Sequence, residues 1–247
     1  MLRLSAPAPS ALHGCSITGK ECGGKMKRAR FEHGRAPELA ALSARSLPAL
    51  AAQDLSDQEE YVHGKLVEVD MADRQLDFAV FKEILFAGAG LARTRFQAPR
   101  LDTVRMENCD LANAEWPRLI AHRVEFVGCR MDGFTIPEAY LRDVRFDDCS
   151  LRFARIRFAT LKSARFDHCD LSGADLQATD LTGAIFARCK LDEVEFSQAV
   201  LSGADLRTST IERMRVGIAE LQGAIVDPFQ ASYLAGLMGL VIKNEGE

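Results

Sequence analysis

From Leu66 to Val226 every fifth residue is large and apolar, and the phase never slips. The series includes Phe81, Phe86, Leu91 and Phe96, passes through Met106, Leu111 and Trp116, and runs on to Val216, Leu221 and Val226. Of its 33 members only Ala121 is small. Two residues earlier the chain prefers a small residue, as at Ala79, Ala89, Ala114, Ala154, Ala174 and Ala204. The residue just before each large position and the two after it are mostly polar or charged. A helix repeats about every 3.6 residues and a strand about every 2, so a strict period of five predicts neither. Each unit points one large and one small side chain inward and three side chains outward. Such a unit cannot bury its apolar side alone and must stack on its neighbours.

A longer period sets how they stack. Cys109, Cys129, Cys149, Cys169 and Cys189 are 20 residues apart, each two before a large position. Phe86, Phe126, Phe146, Phe166 and Phe186 keep the same period. Four units therefore make one coil, and like side chains form ladders along the axis. The units Cys169-Asp170-Leu171-Ser172-Gly173, Ala174-Asp175-Leu176-Gln177-Ala178 and Ala204-Asp205-Leu206-Arg207-Thr208 resemble the A-(D/N)-L-x-x consensus of pentapeptide-repeat proteins. The resemblance implies an all-β fold, a right-handed quadrilateral parallel β-helix over residues 61–226. At a strand spacing of roughly 4.8 Å, about eight coils give a solenoid about 38 Å long. Its interior is expected to be filled, with no ligand cavity.

The open ends of a solenoid need caps. Asp227-Pro228 reads as an N-cap followed by proline at the first helical position. Phe229, Leu234, Leu237 and Met238 follow at helical spacing, and Gly239 suits a stop. Residues 227–247 are therefore expected to form a capping helix and tail. The segment Leu221–Leu234 resembles the C-terminal end of the quinolone-resistance pentapeptide proteins of the Qnr type. That resemblance implies a homodimer contact on Phe229, Tyr233, Leu234, Leu237 and Met238. Residues 1–60 read as a flexible arm, with a short helix over Pro37–Ser46. Gly23-Gly24-Lys25-Met26 resembles a translated ribosome-binding site, which makes Met26 an alternative start to Met1.

Composition narrows the function. The net charge is −4, no apolar run is long enough to span a membrane, and residues 1–15 make a poor signal peptide. The cysteine file runs parallel to the axis instead of converging, so it reads as buried small apolar residues in reduced form and not as a metal site. These features point to a cytoplasmic protein. No nucleophile–base pair, phosphate-binding loop or cleft is evident, so neither an enzyme nor a cofactor is expected. Departures from the repeat cluster between residues 114 and 138. Trp116 is the single tryptophan, Leu119 and Ala121 reverse the usual sizes, Phe134 fills a normally small position, and Pro117 and Pro137 each remove a backbone donor. Volume compensation around Trp116 is one reading of this patch, and an irregular binding surface is the other.

A surface without a cleft suits binding. The Qnr-type resemblance implies DNA mimicry directed at DNA gyrase or topoisomerase IV. The face carrying the cysteine file is the most acidic, and Asp110, Asp132, Asp170, Asp192 and Glu193 are its candidate contacts. A belt of Arg142, Arg145, Arg152, Arg155, Arg157, Lys162 and Arg165 crosses the middle. With acids interspersed and few exposed aromatic residues expected beside it, direct nucleic-acid binding is not expected. The alternative is a scaffold that holds an unrelated protein through the Trp116–Pro137 patch or the N-terminal arm.

Overall fold

The computed structural model describes residues 47–243. The expectations for a start at Met1 or Met26 and for a helix over Pro37–Ser46 lie outside the described residues.

The five-residue unit is the structural unit. Asp110 donates its N–H to the Ala89 carbonyl at 3.0 Å, and Leu91 donates to the Asp110 carbonyl at 2.7 Å. Parallel bridges continue the same column from Asp70 through Gly90, Asp110, Arg130, Ser150 and Asp170 to Lys190 and Thr210. The strands are β1 (Glu60–Val67), β2 (Gln75–Asp77), β3 (Val80–Ala87), β4 (Arg95–Gln97) and β5 (Arg100–Glu107). They continue as β6 (Ile120–Val127), β7 (Tyr140–Asp147), β8 (Thr160–Lys162), β9 (Arg165–Asp167) and β10 (Ile185–Ala187). One helix, α1 (Pro228–Leu237), follows. Face I carries Phe86 and Phe146 inside and the file of Lys65 and Leu85 outside. Face II carries the cysteines, face III Trp116, and face IV Phe81 and Leu141. The long strands turn the corner from face IV onto face I.

The sheet ordered β1-β3-β5-β6-β7-β9-β10 makes about six turns, somewhat fewer than the eight expected. Beyond Ala187 the stack continues through isolated bridges, Ile185↔Asp205 and Asp205↔Ile225. The consensus aspartate shapes the units it occupies. Asp170, Asp175, Asp180 and Asp205 each accept the N–H two residues on, at 3.0–3.2 Å. That bond curls the unit into a turn and shortens its extended stretch.

Every corner uses a left-handed residue two positions after the large apolar one, at each fifth residue from Gln58 to Arg213. Most are not glycine, and each such residue costs about 1–2 kcal/mol. Gly173 and Gly183 separate this cost from packing. Both have positive φ, +68° and +70°. A Cβ on Gly173 would lie 2.7 Å from the Phe153 ring, whereas nothing stands within 4 Å of one on Gly183. Gly183→Ala should cost about 1 kcal/mol and Gly173→Ala about 1 kcal/mol more. Urea unfolding midpoints check this, and equal losses would show that Phe153 swings clear.

The core is one continuous apolar cluster from Leu55 to Leu234. Phe126, Phe146, Phe166 and Phe186 stack nearly parallel, with ring centroids 4.9, 4.7 and 4.8 Å apart. The five column cysteines are buried free thiols. Contacts with flanking thiols, and then burial, push Cys129 and Cys169 up, so these two stay protonated. Residues 47–59 pack against the start of the solenoid. Leu50 and Pro48 bond to Lys65 across a parallel bridge, Leu55 closes the core, and Arg74 donates to the Ala52 and Leu55 carbonyls.

Candidate interaction surfaces

The C-terminal cap is built from one helix start. Asp227 accepts the Gln230 N–H at 2.9 Å, and the Gln230 side-chain oxygen accepts the Asp227 N–H at 3.0 Å. This reciprocal box fixes the entry of α1. The same Gln230 is buried, and its amide nitrogen donates to the Leu206 and Ser209 carbonyls at 2.8 and 2.7 Å. Tyr233 offers its hydroxyl to the Arg213 N–H at 2.7 Å. Two side chains thus replace the missing next coil. Of the five residues expected at the dimer contact, Tyr233 and Leu234 face the last coil, and Leu234 is buried. Phe229 is 84% exposed, and Leu237 and Met238 are exposed beside Ile218, Leu240 and Val241. A shallow hollow of about 250 Å³ between Val216, Leu221, Leu234 and Met238 lies under this surface. Gln230 and the Tyr233 hydroxyl were missed in the sequence because apolar anchors were sought. The Asp227-x-x-Gln230 spacing was the available signal.

Face II brings the five candidate acids onto one side, but most are matched one coil away. Asp110 pairs with Arg130 at 2.5 Å, Asp170 with Lys190 at 3.4 Å and Glu193 with Arg213 at 2.6 Å. Burial pushes the Asp110 carboxyl up, yet Arg130 and the Ala112 amide outweigh it and hold it below the usual range. Asp132 accepts the Ser150 hydroxyl at 2.5 Å and Asp192 the Glu212 N–H at 3.0 Å. Neither has a cation in salt-bridge contact among the described residues. The matching follows the 20-residue period and was legible in the sequence.

Trp116 is buried, stacked on Phe96 at 4.9 Å and edge-on to Phe134 at 5.4 Å. Its indole N–H donates to the Thr94 hydroxyl at 2.9 Å. Pro117 and Pro137 lie outside, in a position whose N–H takes no part in the coil-to-coil ladder. The ladder therefore passes them intact: Arg118 donates to the Pro137 carbonyl at 2.9 Å and Thr135 to Ala114 at 2.9 Å. The donors expected to be lost were never used between coils. Exposed Ile120 and Tyr140 pair in register on the adjoining face.

In the arginine belt, Arg145 pairs with Asp147 at 3.0 Å, Arg165 with Asp167 at 2.6 Å, and Arg157 with Asp175. Contrary to expectation, exposed aromatic residues are present there, because Phe153 and Phe158 occupy corners and point outward. Among the described residues no group of three or more His, Cys, Asp or Glu side chains is placed to hold a metal. No helix among them is long and apolar enough to cross a membrane.

These features define a parallel β-solenoid with a filled interior and a working exterior. Residues 99–176 match the pentapeptide repeat region model, and residues 169–207 match the model for pentapeptide repeats in eight copies. Residues 99–207 are thus pentapeptide repeats, and the recognised family is that of the pentapeptide-repeat proteins over this span. No curated protein matches it in sequence. Similar solved structures include QnrB1, a plasmid-mediated fluoroquinolone resistance protein. It is 17% identical, covers 76% of this chain and 91% of its own, and has a TM-score of 0.35. HetL from the cyanobacterium Nostoc sp. strain PCC 7120, involved in heterocyst differentiation regulation, is 16% identical over 69% of this chain and 84% of its own, with a TM-score of 0.37. A pentapeptide repeat protein of the Arabidopsis thaliana thylakoid lumen is 21% identical over 45% of this chain and 71% of its own, with a TM-score of 0.28.

Proposed function

We propose that this chain is a non-enzymatic, cytoplasmic protein-binding module that works as a homodimer joined through its C-terminal caps. The observation that carries the dimer is the apolar surface around Phe229, which the cap presents to water while Tyr233 and Leu234 hold it to the last coil. A patch of this kind marks an interface, and its place at one end suits a two-fold pairing of identical surfaces. Sedimentation of the intact chain should give a dimer. Phe229→Asp combined with Leu237→Asp should give a folded monomer, with unchanged circular dichroism. A monomeric wild-type chain at tens of micromolar would sink the proposal. Partner binding falls to the side faces, with Pro117, Pro137, Ile120 and Tyr140 as the contact.

A second reading makes the partner a type II topoisomerase met by face II. The acidic excess there and the C-terminal resemblance support it. Charge density sets it second: about 38 Å of duplex DNA carries about 22 charges, against a net −4 for this chain. Gyrase supercoiling with and without a fluoroquinolone tests it. Inhibition or drug protection at low-micromolar protein, lost when Asp110, Asp132 and Asp170 are changed to Asn, is the result expected if this reading holds. No effect at large molar excess removes it and leaves the unrelated protein partner.

A further inference from the structure

Most exposed cations of the solenoid are matched by a neighbouring carboxylate, but four around the corner between faces III and IV are not. Nearby, Arg95 reaches Glu115 at 3.8 Å, Arg123 reaches Asp102 at 2.9 Å and Arg142 reaches Asp143 at 3.5 Å. Among these pairs stand Arg100, Arg118, Arg155 and Lys162, all exposed and none in ion-pair contact with a carboxylate among the described residues. The centre of the same corner is apolar. Ile120 and Tyr140 stack in register on face IV, one coil after Arg100, and are 42% and 40% exposed. Phe158 holds the corner itself at φ +55° and is 60% exposed. Ala98 and Ala178 hold that corner in other coils, so the fold does not require a ring there. Glu138, 20 residues after Arg118 and 20 before Phe158, is a carboxylate without a cation among the described residues. On the far side of Arg155 the next corner is covered. Arg152 lies over the Phe153 ring at 5.5 Å, and that ring lies against Gly173.

We propose that the corner between faces III and IV holds an acidic protein segment that also carries apolar side chains. This partner deepens the reading that the side faces bind a protein, on which it rests. Four unmatched cations against one unmatched carboxylate favour an anionic partner. Apolar residues at the centre with arginine and lysine at the rim follow the anatomy of a protein interface. A nucleic-acid strand suits this layout less. It needs a continuous basic track and rings on which successive bases stack, whereas here Glu138 stands at the centre and Ile120 offers no aromatic face. The backbone groups of this corner are already bonded along the axis, as in Arg118 to the Pro137 carbonyl and Glu138 to the Arg157 carbonyl, each at 2.9 Å. No sheet edge is therefore free for an added strand, and side chains carry the recognition.

Fluorescence anisotropy with the full chain and a labelled random copolymer of glutamate and tyrosine tests this. The copolymer should bind, and Arg118→Glu combined with Arg155→Glu should weaken it at least about tenfold. Phe158→Ala should weaken it about fivefold. Glu138→Gln should tighten it about twofold, with Trp116 fluorescence unchanged in every variant. No binding, or unchanged affinity in the charge-reversed chain, would overturn the acidic partner. Tighter binding of oligothymidylate, lost in that same chain, would also overturn it and make the ligand a nucleic acid. Should the charge reversal disturb Trp116, Glu138→Gln decides the matter, and an unchanged or weaker affinity refutes the acidic partner. A copolymer of lysine and tyrosine separates the underlying reading. If it is held in place of the acidic one and released by Ile120→Asp with Tyr140→Asp, the acidic partner is refuted while the side face stands as a protein contact. If that double change leaves either copolymer held as tightly as before, the side face itself is refuted as the contact.

Discussion

Gln230→Leu should lower unfolding stability by about 2–4 kcal/mol. The side chain is buried, and its amide nitrogen serves the Leu206 and Ser209 carbonyls together. The Leu206 carbonyl keeps the Ser209 N–H at 3.2 Å, so the Ser209 carbonyl is the acceptor left without a partner, at about 1–3 kcal/mol, and loss of the reciprocal box with Asp227 adds about 1 kcal/mol. Leucine keeps most of the volume, so the loss reports hydrogen bonding and not a cavity. Gln230→Glu separates the two roles: it retains the acceptor for the Asp227 N–H but replaces the donor with a carboxylate oxygen facing two carbonyls. It should therefore be at least as damaging. Urea unfolding followed by circular dichroism measures both. A loss under about 0.5 kcal/mol for Gln230→Leu would mean that water replaces the amide and that the end of the stack is wetter than its burial indicates.

That role was hidden in the sequence for a physical reason. The period of five reports which side chains enter the core, because only large apolar groups fill the centre. It therefore exposed the columns of Phe146 and Cys149 directly, along with the register that stacks them. Polar groups that close an end obey no period, since the end occurs once. Gln230 could be reached only by asking which carbonyls of the last coil lack a donor, a question about the assembled stack. The face II ion pairs are intermediate. Asp110 and Arg130 are 20 residues apart, so the coil length that placed the cysteines in one column also places these charges side by side. Counting acids face by face, without pairing them along the axis, overstated the charge of that face. The turn count was overestimated for a similar reason. The repeat fixes how often a unit occurs, whereas the backbone path within each unit decides whether it is extended enough to pair as strand.

Phe146→Ala should cost about 3–5 kcal/mol, the range for removing a fully buried aromatic ring. Its ring lies 4.9 Å from Phe126 and 4.7 Å from Phe166, so both neighbours lose a stacking partner as well as contact area. The backbone ladder holds the coils at fixed spacing, so they cannot collapse into the gap. Phe158→Ala is the control, because that ring points outward and its loss should change stability by less than about 0.5 kcal/mol. Position in the stack makes the core change informative beyond its size. In a solenoid each coil touches only its neighbours, and stability is close to a sum of coil and interface contributions. A defect at Phe146 weakens the coupling between the Trp116 end and the α1 end. Trp116 fluorescence and circular dichroism should then trace separate urea transitions in Phe146→Ala while coinciding in the wild-type chain. Coincident transitions in the variant would show that the stacked phenylalanines add stability without carrying the cooperativity, which would then lie in the backbone ladder.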